Sequence, residues 1–168
     1  VSKKGSVNQY QPMDLASIAL QLGATFVARS FSGDKEQLVP LLKAAMAHQG
    51  FAFIDVISPC VTFNNHKGST KAYDYVRDHL EATGTVDFVP VREEIVTNYL
   101  EGTTHDVTLH DGSVVRLHKA GNDHNVEDRS EALAALRAAQ AEGDILTGLL
   151  YLDVDAAETH QVLNSSSL

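Results

Sequence analysis

Tryptophan is absent from this chain of 168 residues, cysteine occurs once, proline four times, and aromatic residues make up only 7%. A single thiol excludes an intrachain disulfide and reads as a reducing, cytoplasmic setting. No apolar run approaches the roughly 18 residues that a membrane helix needs, so no membrane partner is expected. The polar first dozen residues carry no signal-peptide pattern. Positive charge is scarce, with 13 Lys and Arg against 22 Asp and Glu for a net charge of -9. That balance argues against nucleic-acid phosphate or an anionic membrane as a partner. Glycine-rich phosphate loops of Rossmann or Walker spacing are missing, as are a Gly-Asp-Gly diphosphate and metal motif and a serine nucleophile elbow. The chain by itself is not expected to be a self-sufficient enzyme. It opens on Val1 without an initiator methionine, which suggests a processed product or a fragment.

What is present is enough apolar side chain for one ordinary domain, 43% of residues, beside 21% charged ones. Pro12 suits a first helical turn. Met13, Ala16, Ile18, Ala19, Leu20 and Leu22 follow at helical spacing, with Gly23 past the end. Thr25 to Ser30 reads as a strand. Asp34, three residues before Gln37, is an N-cap signal for a helix carrying Leu38, Leu41, Leu42, Ala45 and Met46 up to Gly50. Pro40 inside that helix predicts a bent or late-starting first turn. Phe51 to Ile57 is near-continuously apolar, the pattern of a strand buried on both faces. Strand, helix and strand in this order predict a βαβ unit with a right-handed crossover and parallel strands, hence an α/β fold.

Further along, a short helix is expected around Tyr73 to Leu80, and Val86 to Leu100 mixes strand and helix cues without resolving. His110-Asp111-Gly112 marks a two-residue hairpin turn between Asp106 to Leu109 and Ser113 to His118. Residues Gly121 to Arg129 read as loop. Ser130 is expected to cap a helix ending near Gly143, and Ile145 to Leu152 reads as another buried strand. The division is residues 1–80 as one unit and residues 81–168 as an extension, with a β-hairpin and a helix, packed on the same domain.

Cys60 is the strongest candidate for chemistry. It follows the carboxyl end of the most apolar strand, the edge at which open parallel sheets bind ligands. Pro59 stiffens the approach, and Thr62 and Asn64 offer side-chain hydrogen bonds. A thiolate there suits a nucleophile or a metal ligand, although a small buried thiol used as a core hydrophobe fits the composition as well. His105, His110, His118 and His124 lack the i, i+4 spacing of a metal site and are expected as solvated imidazoles on the surface. Glu93-Glu94 reads as a solvated face.

The runs Leu22-Gly23-Ala24-Thr25-Phe26-Val27-Ala28-Arg29, His48-Gln49-Gly50-Phe51 and, above all, Ile57-Ser58-Pro59-Cys60-Val61-Thr62-Phe63-Asn64 resemble the β subunit of 2-oxoacid:ferredoxin oxidoreductases, most of all the 2-oxoglutarate type. Gly143 to Tyr151 is similar to that subunit's C-terminal segment. The resemblance spans most of residues 12–80 and resumes near 130–155. It implies the C-terminal half of a thiamin-diphosphate-binding domain, that is, half of its parallel sheet. It also implies coenzyme A-dependent oxidative decarboxylation of a 2-oxo acid, with electrons passed through a 4Fe-4S cluster to ferredoxin. Cys60 matches the family's fourth cluster ligand. Thr62 and Asn64 are expected to donate hydrogen bonds toward the cluster, an expectation that rests on their spacing from Cys60 rather than on the family pattern. Thiamin diphosphate, Mg2+ and the other cluster ligands would come from the N-terminal half of the β subunit, and an α subunit would complete the site. The alternatives are a non-catalytic α/β binding or assembly module, and a pyruvate or branched-chain 2-oxoacid version of the same enzyme.

Overall fold

The computed structural model describes residues 13–58, 95–109 and 114–158. Helix α1 spans Leu15–Gln21, strand β1 Phe26–Phe31, helix α2 Lys35–Ala47 and strand β2 Ala52–Ile57. Strands β3 (Thr104–Thr108) and β4 (Val114–Lys119), helix α3 (Arg129–Glu142) and strand β5 (Ile145–Leu152) follow. The strands form one sheet in the order β2-β1-β5-β4-β3. As expected, β1, α2 and β2 make a βαβ unit whose strands run parallel, Phe26 opposite Ala52 through Phe31 opposite Ile57. The α/β class holds, but the sheet is mixed rather than parallel throughout. β5 runs antiparallel to β1 and parallel to β4, and β3 pairs antiparallel with β4. Strands from both sides of residue 80 therefore share one sheet.

Alternation along β1 sorts its side chains between two layers. Val27 joins Ala16, Leu20, Leu136, Leu146, Leu150 and Tyr151 under α1 and α3. Phe26 and Ala28 face α2 through Leu41. On β5, Ala28 pairs with Leu149 while Val27 pairs with Tyr151, so Leu150 is the extra residue of a bulge. The bulge sends the adjacent Leu150 and Tyr151 into the same layer, which strict alternation along the sequence does not foresee. A third cluster of Phe31, Val107 and Leu117, joined by Ile57 and Ile95, closes the end of the sheet where β1 and β2 finish.

Several local expectations shift. β2 is only half-buried, because it lies at the sheet edge among the described residues, and the strands buried along most of their length are β1 and β5. Helix α2 starts directly after its Asp34 cap and carries Pro40 in its interior, with no late first turn. Helix α3 is capped by Asp128, not Ser130. The Asp128 carboxylate accepts from the Ser130 and Glu131 backbone N–H groups, and Ser130 sits inside the first turn. Gly143 closes α3 at φ 80°, the left-handed conformation a side chain resists. Of the apolar residues expected to form one face of α1, Ala16, Ala19 and Leu20 are buried, whereas Met13, Ile18 and Leu22 are exposed; Leu15 is exposed as well. Ile95 to Leu100 form no regular element. Pro12, the helix expected around Tyr73 to Leu80 and the turn His110-Asp111-Gly112 lie outside the described residues.

Candidate functional site

At the carboxyl end of β1 the chain turns through Ser32-Gly33-Asp34 into α2. Asp34 is 1% exposed and does two jobs. Its Oδ1 accepts the Gln37 backbone N–H at 3.1 Å, capping the helix, and its Oδ2 lies 2.7 Å from Lys119 Nζ at the end of β4. Lys119 is itself buried, and its ammonium stands 4.5 Å from the centroid of the Tyr99 ring. The Tyr99 hydroxyl lies 3.0 Å from Thr147 Oγ1, which donates onward to the His118 carbonyl at 3.3 Å. Burial pushes the Tyr99 phenol up, the Asp34 charge adds to this, and the Thr147 hydrogen bond opposes it. The phenol is therefore neutral at physiological pH. Gly33 is required for contact: a Cβ there would sit 1.8 Å from the Ile95 carbonyl oxygen, while its own carbonyl accepts from Thr97 N at 3.1 Å.

Beside this chain of contacts lies a cavity of about 980 Å3, walled by Pro40 and Leu41 of α2 and by Asn98 to Glu101, with Gly148 and Leu149 of β5 among its lining. Asn98 bridges to Glu36 across it at 2.8 Å. The Lys119 charge is committed to Asp34, so the constellation braces the end of β1 against the β3–β4 hairpin instead of presenting a free reactive group.

On the opposite layer Arg29 is buried between two carboxylates. It donates to Asp14 through Nη2 and to Asp55 through Nε at 2.8 Å. Burial works to raise the Asp14 pKa. Hydrogen bonds from Ser17 and Arg29, together with the guanidinium charge, outweigh it and hold the carboxyl below its usual range. A charged residue inside an otherwise apolar strand was the available signal for this cluster. For Lys119 and Tyr99, far apart in sequence from Asp34, no local signal exists.

The sequence candidates fare unevenly. Cys60, Thr62 and Asn64 lie outside the described residues, which end at Ser58 just past β2. So do His110 and Glu93-Glu94. His105 is exposed and stacks on Tyr99 with ring centroids 5.3 Å apart. His124 is not the surface imidazole expected: its side chain is 9% exposed, and Nε2 lies 2.9 Å from the Leu150 carbonyl. His118 is half-buried on β4. Among the described residues no three His, Cys, Asp or Glu side chains are grouped to hold a metal ion. No helix among them is long and apolar enough to cross a membrane.

Residues 1–56 match the family described as thiamine pyrophosphate enzyme, C-terminal TPP binding domain. The chain is 45% identical over 49 residues to the 2-oxoacid:ferredoxin oxidoreductase subunit beta of a Sulfolobus species, covering 29% of this chain and 16% of that protein. It is 49% identical over 49 residues to subunit beta of 2-oxoacid:ferredoxin oxidoreductase 1 of Aeropyrum pernix, covering 29% and 15%. With the 2-oxoglutarate synthase subunit KorB of Methanocaldococcus jannaschii the identity is 45% over 51 residues, covering 30% and 19%. These matches span less than a fifth of each relative's length. The fold is similar to a chain of 2-oxoglutarate:ferredoxin oxidoreductase from Magnetococcus marinus, solved with 2-oxoglutarate, coenzyme A and succinyl-CoA bound. That likeness has a TM-score of 0.57 at 25% identity and covers 94% of this chain and 39% of the other. The chain is thus similar, over part of its length, to the β subunits of 2-oxoacid:ferredoxin oxidoreductases.

Proposed function

We propose that this chain forms the C-terminal part of the β subunit of a coenzyme A-dependent 2-oxoacid:ferredoxin oxidoreductase acting on 2-oxoglutarate. Its partners in that reading are the N-terminal half of the β subunit, an α subunit and ferredoxin, and its setting is the cytoplasm. The observation that carries the proposal is the fold likeness to the Magnetococcus marinus enzyme over 94% of the chain, well beyond the 56 residues that match the thiamin family. Residues 1–80 would belong to the thiamin-diphosphate-binding domain and residues 81–168 to an extension sharing its sheet.

The chain's own donors do not complete either cofactor site. With one cysteine it supplies at most one of the four thiolates that a 4Fe-4S cluster takes. Its sequence holds no Gly-Asp-Gly stretch for diphosphate and Mg2+. In this proposal Cys60 is that one thiolate, and Thr62 and Asn64 donate hydrogen bonds near it. The described residues would contribute rigidity. The Asp34–Lys119 pair and the Phe31, Ile57 and Leu117 cluster hold the ends of β1 and β2, from which the chain runs on toward Cys60.

Co-expression of this chain with an N-terminal β half and an α subunit tests the reading. The assembled protein should show iron–sulfur visible absorbance and 2-oxoglutarate- and coenzyme A-dependent reduction of ferredoxin. Cys60→Ser should lose or weaken the absorbance, since a hard hydroxyl replaces a soft thiolate. An unchanged spectrum and iron content in Cys60→Ser, or brown colour from the 168-residue chain alone, would overturn the ligand assignment.

A further inference from the structure

The cavity beside α2 is lined by donors that the fold does not use. Gln37 lies on its wall, and Gln37 Oε1 accepts the hydroxyl hydrogen of the buried Ser30 at 2.9 Å. That bond orients the amide and leaves both Nε2 hydrogens without an acceptor among the described residues. Gly148 keeps the approach to them open. It lies on β5 at φ 124°, and a Cβ there would meet the Ala120 Cβ at 3.3 Å and stand 3.9 Å from Gln37 Nε2. Lys119 reaches the same cavity. An ammonium has three N–H donors, of which the Asp34 carboxylate and the Tyr99 ring engage two. The charge of Lys119 is therefore spent on Asp34, but one of its donors is not.

The cavity also holds acceptors. Asn98 Nδ2 donates to Glu36, so Asn98 Oδ1 remains an acceptor, and the exposed Glu101 adds a carboxylate at the rim. With Asp34 offsetting Lys119, Glu36 and Glu101 leave the lining negative. An anionic ligand would meet that charge with no uncommitted cation to pair with, and a cationic one would lie against the Lys119 ammonium. A neutral group that both accepts and donates fits the two sets together. Pro40, Leu41 and Leu149 supply apolar wall for the rest of such a molecule. A few polar groups set in a largely apolar concavity of about 980 Å3 is the build of a small-molecule site.

We infer that this cavity binds a neutral carboxamide with an apolar body. The amide oxygen accepts from Gln37 Nε2 and Lys119 Nζ, the amide N–H donates to Asn98 Oδ1, and the apolar part packs on Pro40, Leu41 and Leu149. The inference stands on the lining of the cavity and does not depend on the proposed catalytic assembly.

Amide NMR titration of the full 168-residue chain tests it with three probes of similar shape, isovaleramide, isovalerate and isoamylammonium, at equal ionic strength. Isovaleramide should give saturable shifts at Gln37, Asn98 and Gly148, and each charged probe should bind about tenfold more weakly or less. Gln37→Glu keeps an oxygen for Ser30 but replaces the Nε2 donors with an acceptor. It should weaken isovaleramide binding about tenfold, as the loss of one hydrogen bond to the ligand implies. Glu101→Lys, at an exposed position, should admit isovalerate and leave the donors in place, so the test survives if Gln37→Glu fails to fold. Isovaleramide shifts that never saturate, that are equalled by a charged probe, or that persist unchanged in folded Gln37→Glu would overturn the site. Continued exclusion of isovalerate by Glu101→Lys would overturn the charge selection.

Discussion

Asp34 illustrates how one residue can look ordinary in sequence and be costly to lose in the fold. As a cap it is worth about 0.5–2 kcal/mol, a role that asparagine can also fill. As the partner of the buried Lys119 ammonium it has no substitute. Asp34→Asn should therefore keep the α2 cap yet destabilise the chain by about 3–5 kcal/mol, because an unpaired charge remains buried. Urea unfolding measures this, and pairing the change with Lys119→Met should return much of the loss; a cost below about 1 kcal/mol would mean the pair is solvated. Asp14 predicts a pH effect of definite sign. Its folded pKa lies below the ordinary 3.8, so its contribution to stability is complete above that value and is lost as pH falls through the lower folded one. Asp14→Asn should flatten the acid limb of the stability profile, and a limb as steep as in the parent would count against the Arg29 contact.

The elements were legible wherever periodicity and punctuation agreed. β1 and β5 fall within a residue or two of their sequence bounds, and α2 starts directly after Asp34 as expected but ends at Ala47, three residues before Gly50. Cap choice was less legible: Ser130 and Asp128 are both good capping residues, and backbone conformation decides between them. Asp128 has the extended φ and ψ of a cap, -99° and 104°. Asp128→Ala should cost about 1 kcal/mol, while Ser130→Ala should stay within about 0.5 kcal/mol. Thermal denaturation distinguishes the two, and the reverse ranking would restore Ser130 as the cap. The β5 bulge belongs at this scale too. It alone lets Leu150 and Tyr151 fill one layer, and nothing in the run Ile145 to Leu152 announces it.

For the whole molecule, burial follows position in the sheet more than the apolar content of a strand. The run Phe51 to Ile57 promises burial on both faces, yet among the described residues β2 is half-buried at an edge while β1 and β5 lie further in. Hydrogen exchange should accordingly be slowest in β1 and β5 and faster in β2 and β3. Protection of β2 amides equal to that of β1 would reveal a further strand on its outer side. Composition and spacing determined on their own the α/β class, the βαβ unit and the pairing of β3 with β4, and the sequence blocks showed the similarity to 2-oxoacid:ferredoxin oxidoreductase β subunits, because each is written in neighbouring residues. Only the tertiary structure decided the mixed strand order, the Asp34–Lys119 and Arg29 clusters and the Arg116–Asp144 pair. These depend on residues from 14 to 144 meeting across the sheet, and no local pattern encodes a meeting between distant segments.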